Sequence, residues 1–170
     1  MILAILALLQ GSQLSESPQS SVPDIRVTEV RKADGTLAAR AMVHLGGGAL
    51  QVRVQAAGLP PGRYGVHFHA VGRCEAPAFE SAGPHWNPTG RQHGSLNPEG
   101  RHLGDLDNLE VDADRAGRLE FAIPGATTGW PQGLFDADGI SIVIHAAPDD
   151  YRTDPSGNSG ARLACGVFNP

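Results

Sequence analysis

A chain of 170 residues, 41% hydrophobic and 18% charged, has the length and balance of one globular domain with its own buried core. Its formal net charge is -5 and it has no run of Lys or Arg, which argues against nucleic acid and against an anionic membrane as partner. The 22 Gly and 13 Pro exclude long helices and suit short strands joined by tight turns and long ordered loops, so the expected class is all-β.

In chain order, residues 2–9 are an apolar stretch too short to span a bilayer, followed by a Ser/Gln/Pro-rich segment. This is the pattern of the core and exit of a secretory signal without its basic start, the first basic residue being Arg26. Residues 1–23 are therefore expected to be a signal or disordered leader, and residues 24–170 the folded domain. Residues 25–31, 37–45 and 49–56 are β-type runs separated by Asp34-Gly35 and Gly46-Gly47-Gly48, both hairpin-turn signals. Pro60-Pro61-Gly62 turns the chain into a strand at 64–71, and further strands are expected at 109–113, 119–123, 140–146 and 162–168, eight in all. Residues 72–107 and 148–161 lack periodicity; so long a structureless segment in a compact domain is normally a functional loop.

Six of the seven histidines, together with Asp105, outnumber the ligands that one metal ion needs. Residues i and i+2 of a strand share a face, so His67 and His69 project together while Tyr64, Val66 and Phe68 face a core. The same alternation puts Ile142 and Ile144 on one face and Val143 and His145 on the other, so a third imidazole can join from a neighbouring strand. In the long loop, His93, His102 and Asp105 need one more histidine to complete a tetrahedral site of the kind zinc prefers, and His85 is available. Imidazole has two ring nitrogens, so His85 could serve both sites; with His67, His69 and His145 it makes an all-nitrogen set that suits copper. His44 stands outside this pattern. Cys74 and Cys165 are an even, distant pair, as expected of a structural disulfide in an oxidising compartment, with two buried free thiols as the alternative.

The stretches Gly65-Val66-His67-Phe68-His69, Ala82-Gly83-Pro84-His85-Trp86-Asn87-Pro88, Arg101-His102-Leu103-Gly104-Asp105-Leu106 and Gly157-Asn158-Ser159-Gly160-Ala161-Arg162-Leu163-Ala164-Cys165-Gly166 together resemble copper/zinc superoxide dismutase, in family order and over nearly all of residues 25–168. The resemblance implies an eight-stranded Greek-key β-barrel or sandwich with long metal-binding and active-site loops, an architecture of which this enzyme is a standing example. It implies His67, His69, His85 and His145 as copper ligands, and His85, His93, His102 and Asp105 as zinc ligands. It further implies a Cys74–Cys165 disulfide, Asp149 as the outer carboxylate linking His67 to His93, and Arg162 beside the open copper position. The implied activity converts superoxide to oxygen and hydrogen peroxide by copper(II)/copper(I) cycling, with His85 delivering a proton.

Two departures stand out. The loop from His145 to Arg162 is short and carries Asp149, Asp150 and Asp154 against Arg152 alone, and Pro155 stands where well-known members often have a guiding lysine. The short segment between His69 and Cys74, with the signal-like start, resembles the bacterial exported branch, so a periplasmic or otherwise exported protein is expected. No dimer surface carries over; monomer and homodimer are both open. The rival reading is an exported copper/zinc-binding protein that kept the fold and the ligands but lost turnover. A copper chaperone would need an additional metal-transfer domain or cysteine motif, neither of which this sequence has.

Overall fold

A computed structural model describes residues 25–125 and 133–170. The leader expected at 1–23 lies outside them. The strands are β1 (Ile25–Lys32), β2 (Leu37–Gly46), β3 (Ala49–Ala56), β4 (Gly62–Tyr64), β5 (Val66–His69), β6 (Leu109–Val111), β7 (Arg118–Pro124), β8 (Ile140–His145) and β9 (Arg162–Phe168). One 3-10 turn, Glu80–Ala82, interrupts the long loop. No helix among the described residues is long and apolar enough to cross a membrane.

Seven strands form one curled antiparallel sheet in the order β5-β8-β9-β1-β2-β3-β7, and β4 pairs with β6 in a two-stranded ribbon. The first and last strands of the domain are neighbours, a non-local pairing that joins β1, β2, β3 and β7 to β5, β8 and β9 in one sheet. In β3 the alternation is clean, with Leu50, Val52 and Val54 inside and Arg53 and Gln55 outside. In β8 it vanishes because both faces are covered. Ile142 and Ile144 join the main core with Val66 and Phe68, while Val143 packs with Phe79, Ala82 and Cys165 under the long loop.

The structure has nine strand segments rather than eight, because the run expected at 64–71 breaks at Gly65 and ends at His69. Its first part pairs with β6 and its second with β8, so the break is the corner where ribbon and sheet meet. At Gly65 the backbone donates to Ala147 O (2.9 Å) and accepts from His145 N (2.8 Å), and a Cβ there would stand 2.8 Å from Ser159 Oγ. Only a residue without a side chain lets the corner approach the 148–161 loop this closely. The strand expected to reach residue 113 stops at Val111, since Asp112 Oδ1 accepts from Asp114 N (3.0 Å) and Ala116 N (2.9 Å) and turns the chain.

Candidate metal centre

The site is assembled on the open edge of β5. A bare edge strand leaves backbone groups unpaired, and here the long loop fills that role from both of its ends. Trp86 N donates to Phe68 O (2.8 Å), Phe68 N to Gly104 O (2.9 Å) and Leu106 N to Val66 O (3.2 Å). This stitching sets His85 opposite His69 and Asp105 opposite His67. It needs a glycine at 104, where a Cβ would lie 2.6 Å from Phe68 O. From the other side, a register shift between Ile144 and His145 pairs His145 with Arg162 rather than with Leu163. A bulge of this kind re-aims side chains at the end of a strand.

All six histidines and Asp105 are thereby buried together. Ring centroids of His67, His69 and His145 lie 4.0, 4.9 and 6.2 Å from that of His85, and those of His93 and His102 lie 5.3 and 5.4 Å from it, so His85 stands between two sets. The candidate ligand atoms of His67, His69, His85 and His145 all lie within 4.8 Å of one another. On the other side the compact quartet by the same measure is His67, His85, His93 and Asp105. His102 adjoins it through Nδ1, 3.1 Å from Asp105 Oδ1 and 3.4 Å from His85 Nδ1. Asp105 Oδ1 is also 3.0 Å from Nδ1 of both His85 and His93, and its Oδ2 accepts from Gly94 N and His102 N at 3.0 Å. His44 lies apart, in β2 opposite Gln51.

One nitrogen of most of these rings is spoken for. His67 Nε2 donates to Asp149 Oδ2 (2.7 Å), His93 Nε2 to Asp149 Oδ1 (3.0 Å), His69 Nδ1 to Gly83 O (2.8 Å) and His145 Nδ1 to Gly160 O (3.2 Å). The nitrogens left over are His67 Nδ1, His69 Nε2, His85 Nε2, His93 Nδ1 and His145 Nε2, each buried and without a hydrogen bond. A buried polar atom left unpaired costs about 1–3 kcal/mol. Four of these nitrogens, from His67, His69, His85 and His145, fit lone-pair donors to one cation, and His93 Nδ1 faces Asp105 beside them; imidazole with one carboxylate is the donor chemistry of copper and zinc.

The electrostatics agree. Burial pushes His67 down to about 3 against the pull of its bond to Asp149, and burial likewise lowers His145 to about 4 and holds His69 and His85 below the usual range. These rings are neutral at physiological pH and present free lone pairs. His93 differs: burial lowers it, but the carboxylates of Asp105 and Asp149, each 3.0 Å from one of its nitrogens, outweigh that and raise it to about 9. Both carboxylates sit well below their ordinary range, because histidine hydrogen bonds overcome the cost of burial.

A cavity of about 890 Å³ opens over His69, His85, His145 and Arg162. The Arg162 guanidinium donates to Phe79 O (2.6 Å) and Gly83 O (2.7 Å), and Gly83 O is the same carbonyl that orients His69. Burial lowers the Arg162 pKa from its ordinary value. The Cys74–Cys165 disulfide, Cα–Cα 5.7 Å, ties the loop bearing those two carbonyls to β9, and no described cysteine is free. Asn108 was not singled out from the sequence. Its side chain accepts from Asp149 N (2.8 Å) and donates to Asp149 O (3.0 Å), holding the peptide of the carboxylate that serves both sets. An asparagine three residues after Asp105 carries no local signal of a partner 41 positions away.

Residues 34–168 match the copper/zinc superoxide dismutase family. Copper-zinc superoxide dismutase 2 of Aquifex aeolicus is 39% identical over 164 residues, covering 94% of this chain and 95% of that protein. The copper-zinc superoxide dismutase of Caulobacter vibrioides is 41% identical over 143 residues, 82% of each chain. Among solved structures, a superoxide dismutase-like protein of Bacillus subtilis superposes with a TM-score of 0.73 at 36% identity, covering 84% of this chain and 97% of that one. The match runs through every strand from β2 to β9 and takes in the whole histidine cluster, and the chain belongs to the copper/zinc superoxide dismutase family.

Proposed function

We propose that this protein dismutates superoxide, with copper held by His67, His69, His85 and His145 and zinc by His85, His93, His102 and Asp105. The observation that carries the reading is the convergence of unpartnered buried nitrogens of His67, His69, His85 and His145, beside a second group in which Asp105 lies against His85, His93 and His102. On this assignment His85 would belong to both sets: its Nδ1 lies 3.0 Å from Asp105 Oδ1, and its Nε2 is buried and unpaired. His102 belongs to the zinc set by its 3.1 Å approach to Asp105, while His67, whose Nε2 is bound to Asp149, gives its Nδ1 to copper.

Copper bound there supplies a one-electron redox couple, so that one superoxide is oxidised to oxygen and a second, with two protons, is reduced to hydrogen peroxide; zinc supplies charge and position. The protein's own part is geometric. His67 and His69 stand on β5 and His145 on β8, adjacent strands in register, which limits rearrangement of the ligands during redox change. His85 Nε2 would carry a proton to the reduced anion when that nitrogen is not bound to the metal. Arg162 docks the anion beside the site, its guanidinium keeping a positive charge at any physiological pH and its orientation set by the Phe79 and Gly83 carbonyls.

An exported location is part of this reading, supported by the disulfide, which persists in oxidising compartments. The deciding experiment is metal content of the reconstituted protein together with dismutation per copper, with and without a copper chelator. One copper and one zinc per chain with chelator-sensitive dismutation is expected. Both metals bound without turnover would make the protein a metal binder instead.

A further inference from the structure

The cavity above the site must admit a small anion, yet the chain carries a formal net charge of -5. Local cations therefore have to overcome the general repulsion. Among the described residues, those lining the cavity include two arginines, Arg91 and Arg162, and two aspartates, Asp136 and Asp154. With both arginines the wall balances, two against two; without Arg91 a net negative wall faces the anion.

The two arginines are placed differently. Arg162 is committed to the Phe79 and Gly83 carbonyls, a rigid station beside the histidines. Arg91 is exposed, and no ion pair or side-chain hydrogen bond engages it among the described residues. Its backbone, by contrast, is clamped: Arg91 N donates to Asn87 Oδ1 (3.1 Å) and Asn87 Nδ2 donates to Arg91 O (2.8 Å). Asn87 lies two residues after His85, so an exposed guanidinium is mounted on a clamped backbone in the loop that carries the central histidine. On the same cavity wall are Asp154, whose carboxylate accepts from His93 N (2.6 Å), and Pro155, which has no charge to offer.

We propose that Arg91 is a second anion-guiding group of the cavity, drawing superoxide and other small monovalent anions inward to Arg162. This rests on the dismutase reading above, for a family in which electrostatic guidance of the substrate is a standard example. An exposed cation on the cavity wall suits capture, and a half-buried one held by two carbonyls suits docking.

The test uses the full, metal-loaded chain and four variants: Arg91→Gln, Arg91→Glu, Arg91→Lys, and Arg115→Glu as a control of equal net charge whose side chain lines a separate cavity. Azide affinity, read from the copper absorption band, is measured beside kcat/KM for superoxide across ionic strengths. At a separation of about 10 Å, well inside the Debye length in dilute salt, a unit charge in water changes local anion concentration by about twofold. Arg91→Gln should therefore weaken azide and slow kcat/KM about twofold and Arg91→Glu about fourfold, both effects fading above roughly 0.1 M salt. Arg91→Lys should match wild type, and Arg115→Glu should fall well short of Arg91→Glu. Metal content equal to wild type shows that each variant is intact, and Arg91→Gln serves if the reversal does not fold. Arg91→Gln or Arg91→Glu indistinguishable from the Arg115 control in both readouts would overturn the proposal. If the wild type binds both metals but does not dismutate, the function proposed above fails, and the azide series still decides the role of Arg91.

Discussion

Replacing Asp149 with alanine removes a carboxylate outside the proposed ligands that bonds His67 of one set and His93 of the other. The buried side chain accepts from His67 Nε2 at 2.7 Å, His93 Nε2 at 3.0 Å and Tyr151 N at 2.6 Å. Without it three donors lose their acceptor and two rings lose the bond that fixes tautomer and tilt. Loss of such an outer partner costs about 10–100-fold in metal affinity, or roughly 1.4–2.7 kcal/mol. The two sites should not suffer equally. His67 is held by the β5–β8 ladder through its pairing with Val143, whereas His93 sits in the loop, its backbone N held by Asp154 Oδ1. Zinc affinity should therefore fall by the larger factor, and copper should stay bound with an altered electron paramagnetic resonance spectrum. Asp149→Asn keeps one acceptor oxygen and should fall between. Asn108→Ala, which frees the Asp149 peptide without touching a proposed ligand, should give a weaker form of the same loss. The assay is competition for zinc with a chromophoric chelator. Zinc affinity of Asp149→Ala within about threefold of wild type, with an unchanged copper spectrum, would refute the reasoning.

Asp105→Ala should lose zinc first, since it removes a ligand together with the bonds that pin Gly94 and His102, while His145→Ala should lose copper and spare zinc; equal loss of both metals in each variant would contradict two sites. Arg162→Ala should keep both metals and lower kcat/KM for superoxide by about 10–100-fold, the worth of a charge-assisted hydrogen bond, and an unchanged rate would remove its docking role. Reducing the disulfide, which spans 91 residues, should destabilise the fold by up to about 4.5 kcal/mol in the chain-entropy view and raise hydrogen exchange across residues 74–83, both readable from denaturant midpoint and mass spectrometry. In the metal-free protein the raised pKa of His93 contributes stability that is complete below the ordinary value of 6.5 and lost as pH climbs through about 9. Zinc must displace that proton, so calorimetry in buffers of different ionisation enthalpy should show proton release at neutral pH; none released would place the charge elsewhere.

Much of this was legible in the residues. The period of two placed His67 with His69 and His145 opposite Ile144, because strand alternation is a local property of the backbone. The same rule could not see the break at Gly65, since its cause is contact with Ser159 and Ala147, far along the chain. Nor could it say why β8 is buried throughout, as the loop that covers its second face has no periodicity to read.

By itself the sequence determined the class of fold, the candidate ligand residues and the family, because composition, alternation and motif order are written residue by residue. Tertiary structure alone decided which nitrogen of each ring is left free, through partners such as Gly83 O, Gly160 O and Asp149. It also decided that the long loop closes the open edge of β5 and carries His85 to the centre. The physical reason is that those choices rest on backbone hydrogen bonds and close approaches between distant segments. Every residue but proline can donate such a bond and every residue can accept one, so no side-chain type announces it.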